Sequence, residues 1–304
     1  MKARYILNSL FSIVLAGQLT LPAQAADSPK KLLVVTTTTG FRHSSIPTAE
    51  KILLQLAQTS GEFTVEFVEQ PPGHPTTGFP PKLTTDASDA DKAAEAKWNA
   101  ALSAVLQKLS PENLKYYDGV VFASTTGDLP IPDPQGFLDW IKAGHAFIGI
   151  HAAADTFHGW PGYIEMLGGE FKHHGPQVRV DCLNQDPENP ATAHLPAVWT
   201  ISQEEIYQFK NYDTTKVHEL LILDRHPENG STGHFPVAWC KPYGNGRVFY
   251  TSLGHREDIW DADPAIPDRR NDAAISQAYQ QHLLGGIKFR TTTSSTRSNM
   301  PSPR

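Results

Sequence analysis

The sequence predicts an α/β fold: a mainly parallel sheet with helices on both faces, continuing into a strand-rich C-terminal half. Three observations carry this. Apolar, β-branched runs alternate with helical patterns at βα spacing through the first half of the chain. Runs such as KLLVVTTT and AFIGI have the apolar character of strands covered on both faces. In the second half, strand-like runs follow one another with turn residues between them.

KLLVVTTT (31–38) ends at Gly40 and leads into a helical pattern from Pro47 through Leu56. FTVEFVE (63–69) alternates as a second strand, and residues 71–86, rich in Pro, Gly and Thr, read as a loop. Ala87 to Leu109 is a helix candidate with Trp98, Leu102, Val105, Leu106 and Leu109 on one face. YDGVVFAST is a strand, GFLDWIKAG a helix and AFIGIH a strand. LGGEFKHHG reads as a Gly-rich turn. QVRVDCL, VWTISQEE, HELLILD, FPVAWCK and GRVFYTSL are strands, the last two a hairpin across Tyr243-Gly244-Asn245-Gly246. NDAAISQAYQQHLLGGIKF closes the chain as a helix.

The first 25 residues read as a signal peptide. Lys2 and Arg4 precede the apolar ILNSLFSIVLAG, and Ala23-Gln24-Ala25 is an A-x-A site with cleavage expected after Ala25. The expected destination is the periplasm or the outside of the cell, without membrane association once the signal is removed. Residues 31–290 form the expected single domain, and the polar tail 291–304 is expected to be disordered. Removing residues 1–25 takes away two positive charges and no negative ones, moving the net charge from −6 to −8. That balance lacks the clustered basic face of a nucleic-acid binder. Cys182 and Cys240 lie in strand-like segments, and export leaves both a disulfide and two core thiols open. Neither sits in a nucleophile motif. Homo-oligomer formation is also left open.

In open α/β sheets, ligands bind beyond the carboxyl ends of the strands. Several polar groups fall there. The first strand delivers Phe41, Arg42 and His43; the central strand delivers His151, then Asp155 and His158; the last strand delivers His255, Arg256, Glu257 and Asp258. VWTISQEE delivers Glu204 and Glu205 before Tyr207. Histidines and carboxylates converging on one sheet edge suit either a metal or proton transfer. No HExxH or HxH spacing is present, so a metal would take its ligands from separate strands. His173 and His174 are adjacent, so on a strand only one could enter a site. Trp160, Phe41, Tyr207 and Trp260 suit either stacking on a pyranose ring or core packing.

TTTTGFRHSSIPTA, GIHAAADTFHGWPGYIEMLGGEFKHH, EEIYQF, HELLILD and the run PVAWCKPYGNGRVFYTSLGHRED resemble, in order, the ThuA-like (trehalose-utilisation) family. The resemblance implies a flavodoxin-like variant of the class I glutamine amidotransferase fold. In the amidotransferases a cysteine occupies the G-x-C-x-G turn and a later H-x-E completes the triad. Here Gly149-Ile150-His151-Ala152-Ala153 presents histidine at the cysteine position, and His255-Arg256-Glu257 stands where H-x-E would be. An imidazole cannot readily form the thioester that glutamine hydrolysis requires, so glutaminase activity is not expected.

The family's link is to trehalose and related sugars, including 3-keto derivatives. The resulting expectation is an exported protein acting on a small carbohydrate through His151, His255 and Glu205. His43, Arg42, Asp155, His158, Trp160 and Tyr207 would contact substrate. A zinc-like divalent metal is the cofactor that His151 and His255 would hold. A hydrolase and an isomerase or lyase acting on a keto-sugar are both compatible with this set. The alternative is a non-catalytic carbohydrate-binding protein on the same fold.

Overall fold

The computed structural model describes residues 28–288. The expected signal peptide and C-terminal tail lie outside the described residues, as do the last two positions of the expected 31–290 domain.

The first half alternates as its apolar pattern requires: β1 (Lys30–Val35), α1 (Ile46–Ser60), β2 (Phe63–Val68), α2 (Asp89–Leu106), a short α3 (Pro111–Leu114), β3 (Gly119–Ala123), α4 (Pro134–Lys142) and β4 (Ala146–Ile150). Then come α5 (Pro161–Leu167), β5 (Glu170–His174), β6 (Val178–Asn184), β7 (Val198–Glu204), β8 (Tyr207–Lys210), β9 (His218–Arg225), β10 (Thr232–Tyr243) and β11 (Gly246–Thr251). The short α6 (Glu257–Trp260) and the long α7 (Ala273–Lys288) complete the described chain.

Local chemistry sets the helix boundaries. Pro47 opens α1, and Gly61, in the left-handed region at φ 66°, ends it. Ser88 and Asp91 form a reciprocal capping box on α2. Asp133 caps α4 by accepting from Gly136 N at 2.8 Å. The expected helix through Leu109 stops as an α-helix at Leu106, and residues 107–109 tighten into a 3₁₀ turn.

Nine strands form one sheet in the order β2-β1-β3-β4-β11-β10-β9-β6-β7. The pairs from β2 to β11 are parallel, and those from β11 to β7 are antiparallel. The two-residue pleat sends alternate side chains of β1 to opposite faces. Leu32 and Val34 join a core with Ala49, Ile52 and Leu53 of α1 and Leu283 of α7. Leu33 and Val35 join the other core with Trp98 and Leu102 of α2 and Phe137 of α4. Both faces of the parallel half are therefore covered, which explains its unbroken apolar strands. The predicted hairpin is the β10–β11 pair, with Tyr243 opposite Gly246. Cys182 and Cys240 are both free and buried, which settles the open choice in favour of core thiols.

The stretch read as a Gly-rich turn folds differently. Gly168 ends α5, and Glu170–His174 is a strand that pairs antiparallel with β8 in a separate two-stranded ribbon.

Candidate metal centre at the strand ends

His151 follows β4 directly and takes up φ 50°, a left-handed conformation rare for a residue with a Cβ. The turn is tight on every side. A Cβ on Gly149 would stand 2.9 Å from Tyr250 Cδ2 and 3.1 Å from Leu167 Cδ1, so only glycine fits there. The backbone strain throws the imidazole outward from the carboxyl end of the sheet, as in a nucleophile elbow.

Three other strand ends deliver their groups to the same point. His43 comes from the segment after β1, His255 from the segment after β11, and Glu205 from the end of β7. His151 Nε2 lies 3.3 Å from His43 Nε2 and 3.3 Å from His255 Nδ1. Glu205 Oε1 lies 3.2 Å from His255 Nδ1 and 3.8 Å from His151 Nε2. One ligand atom from each of the four residues falls within 4.8 Å of every other. β7 sits at the far end of the sheet, so the antiparallel half must curl back over the strand ends. Glu204 marks the closure: its Oε1 accepts from His255 N at 2.7 Å.

The donor set fits a divalent cation. A tetrahedral ion with bonds of about 2.0–2.1 Å to nitrogen and oxygen has ligand–ligand edges of about 3.3–3.4 Å. Four of the six separations, 3.2 to 3.8 Å, bracket that value, and the other two are no longer than 4.8 Å. The carbonyl of Ser252, 2.8 Å from His151 Nδ1, can only accept, so the Nδ1–H of His151 donates to it. This fixes the tautomer that points the Nε2 lone pair into the cluster, the orienting contact typical of metal-ligating histidines. Imidazole and carboxylate together suit zinc-like ions.

Burial shapes the charge states. It lowers the His43 pKa to about 3, with the neighbouring His255 charge adding to the effect. Burial, followed by the charges of His43 and His255, holds His151 well below its ordinary value. Both rings are therefore neutral near pH 7, as metal ligation requires. Burial also acts to lower His255, but the hydrogen bond it donates to Glu205 and the charges of Glu204 and Glu205 outweigh it and leave its pKa raised. Burial pushes Glu204 up to about 7.

The remaining expected site residues fall around this cluster in different ways. Tyr207 is buried with its ring 4.5 Å from that of His151. Asp155 and His158 form a neighbouring group: His158 Nε2 meets Asp155 Oδ1 at 2.6 Å, and its Nδ1 meets Glu170 Oε1 at 2.8 Å.

Three side chains turn elsewhere. Arg42 is buried, and its Nη1 donates to Thr36 O at 2.6 Å beside the charges of Glu50 and Glu69. A strand-end position brought its backbone to the site, but the long side chain turned back to satisfy that carbonyl. Trp160 packs against Phe157 and Tyr163, with ring centroids 5.1 and 5.9 Å away, as the residue preceding α5. Trp260 is fully buried and donates to Gly254 O.

His174 emerges from the β5–β8 ribbon, where the sequence predicts a turn. Its Nδ1 lies 3.1 Å from Glu205 Oε2, while His173 meets Glu228 instead. The alternation of adjacent residues on a strand was the signal for this, once the strand itself was recognised.

A family model described as trehalose utilisation, ThuA, matches residues 31–267. The chain belongs to the ThuA family. Two solved structures share the fold of this ThuA chain. A ThuA-like protein from Bacteroides uniformis ATCC 8492 is 21% identical, with a TM-score of 0.56 over 88% of this chain and 94% of that one. A ThuA-like protein from Parabacteroides merdae ATCC 43184 is also 21% identical, with a TM-score of 0.59 over 86% and 89%. No curated protein matches the chain. In this ThuA member, the strained turn after β4 thus presents an imidazole to a His/Glu cluster.

Proposed function

We propose that this protein is an exported, metal-assisted enzyme acting on a keto-sugar, with a zinc-like divalent cation held by His43, His151, His255 and Glu205. The observation that carries this is the convergence of one ligand atom from each of these residues at separations suited to one small cation. Export rests on the signal-peptide pattern of residues 1–25. The sugar rests on the family description, trehalose utilisation. The parallel order β2-β1-β3-β4-β11 supports a flavodoxin-like reading, with the site at the carboxyl ends near the point where strand order reverses.

A bound divalent cation supplies Lewis acidity toward a substrate oxygen. The chain's own residues divide the remaining work. His151 is locked by Ser252 O, and His43 and Tyr207 pack against its ring, so the centre is preorganised. A C–H beside the carbonyl of a 3-keto-sugar is acidified, and a carboxylate at the rim can take its proton. Asp155 stands there, backed by His158 at 2.6 Å, while His174, 3.1 Å from Glu205 Oε2, orients that ligand from outside. The side chains of His174 and His158 are 44% and 42% exposed, which leaves this side open to an incoming ligand.

A second reading has one feature in its favour. Four protein ligands fill a tetrahedral set, as in structural rather than catalytic zinc sites. On that reading the protein binds carbohydrate without turning it over. Turnover of 3-keto-disaccharides, lost in His151→Ala and His255→Ala, supports the enzyme. Sugar binding retained in both variants, with no turnover by the wild type, supports the binding protein.

A further inference from the structure

We propose that Phe79 is the substrate-stacking wall of the centre, taking the apolar face of a pyranose ring beside His43. This rests on the reading that the centre acts on a sugar.

Phe79 is 69% exposed, and a lone exposed apolar side chain would by itself mean little. Its attachment is what distinguishes it. The preceding Gly78 stands at φ 87°, a left-handed position that turns the chain. Gly78 and Arg42 exchange both backbone hydrogen bonds, Arg42 N to Gly78 O and Gly78 N to Arg42 O, each 2.8 Å. Thr77 Oγ1 adds a donation to Arg42 O at 3.2 Å. The long loop between β2 and α2 is therefore pinned to the residue that directly precedes His43.

The pinning places Phe79 one ring beyond Phe41, which borders the site. Its ring meets Phe41 edge-on, with centroids 5.2 Å apart, and Phe41 in turn meets His43 edge-on at 4.9 Å. Phe41 is itself anchored, since its carbonyl accepts from Thr126 Oγ1 at 2.8 Å. The result is a rigid aromatic step running outward from a ligand of the centre, with its outer ring open to solvent. A pyranose presents a face of C–H groups and an edge of hydroxyls. An exposed, fixed aromatic ring suits the face, and the polar cluster beside it suits the edge.

The test uses the full chain loaded with zinc, and 3-keto-trehalose and trehalose as probes. KM and kcat are measured for the first sugar and Kd for both, alongside metal content and melting temperature. Phe79→Ala is expected to raise KM and Kd roughly five- to thirtyfold, with metal content and melting temperature unchanged. Phe79→Trp is expected to stay within about threefold of wild type, because it keeps the stacking surface. Wild-type KM and Kd in Phe79→Ala, or a fall in kcat alone, would overturn the stacking role while leaving the sugar reading intact. A zinc-loaded wild type that neither binds nor turns over either sugar would overturn the sugar reading, and the proposed wall with it.

Discussion

His43 Nε2 and His151 Nε2 stand 3.3 Å apart although 108 positions separate them in the chain. At most one of the facing nitrogens needs a hydrogen, since the other proton of His151 is committed to Ser252 O. An N–H···N hydrogen bond fits this approach, and so does the shared cation proposed above. His43→Ala should therefore lose the metal as completely as His151→Ala, and by more than the about 10–100-fold loss typical of outer-shell changes. Competition titration with a chromophoric chelator checks this. Metal affinity unchanged in His43→Ala would remove His43 from the ligand set.

The left-handed φ of His151 is a cost borne for the site. Relief of that strain gives about 1–2 kcal/mol for an L-residue, while glycine returns about 0.4–1 kcal/mol through the freedom of the unfolded chain. With chelator present, His151→Gly should be more stable than His151→Ala by about 0.5–1 kcal/mol, the difference of those two effects. Both variants lack the imidazole, so only the backbone separates them. Urea unfolding decides it, and equal midpoints would mean that the turn is unstrained.

Gly149→Val tests the packing behind the elbow. Its side chain would press on Tyr250 and Leu167 in a filled core, costing about 1–3 kcal/mol. The displaced turn should also weaken metal binding, because Tyr250 OH donates to the His151 carbonyl at 2.7 Å. Calorimetric melting together with metal analysis gives both readouts. A stable variant with full metal content would show that the elbow tolerates repacking.

A pH effect is expected far from the centre. Burial lowers His282 to about 4, against the ordinary value of 6.5. The unfolded chain therefore binds this proton more tightly. Stability from the neutral ring is complete above about pH 6.5 and is lost as pH falls toward 4, amounting to about 3 kcal/mol at the lower end. His282→Asn keeps a donor for Ala191 O, which His282 Nδ1 meets at 2.8 Å, but cannot titrate. Unfolding free energies at pH 7 and pH 4.5 should fall less for this variant than for wild type. An equal fall would mean that His282 does not contribute.

Much of this arrangement was legible in the chain, for physical reasons that also explain what was not. β1, β3 and β4 are buried on both faces, so their apolar runs announced them. His43, His151, His255 and Glu205 follow strand runs, and the carboxyl ends of strands are where such sheets bind ligands. The curl that returns the end of β7 to His255 N is long-range, and no local pattern encodes it. The β5–β8 ribbon was hidden because Glu170–His174 is polar and follows two glycines, which favours a turn on local chemistry alone. With it went His174. Arg42 and Trp160 show the complementary limit. Position along a strand end brings a backbone near the site but does not say which way a long side chain turns.

The most direct measurement is elemental analysis of the protein purified without added metal or chelator, repeated for His151→Ala. About one equivalent of a zinc-like divalent ion per wild-type chain is expected, and essentially none in the variant. A folded wild type that carries no divalent ion, and takes none up when zinc, manganese, iron or nickel is supplied, would contradict it.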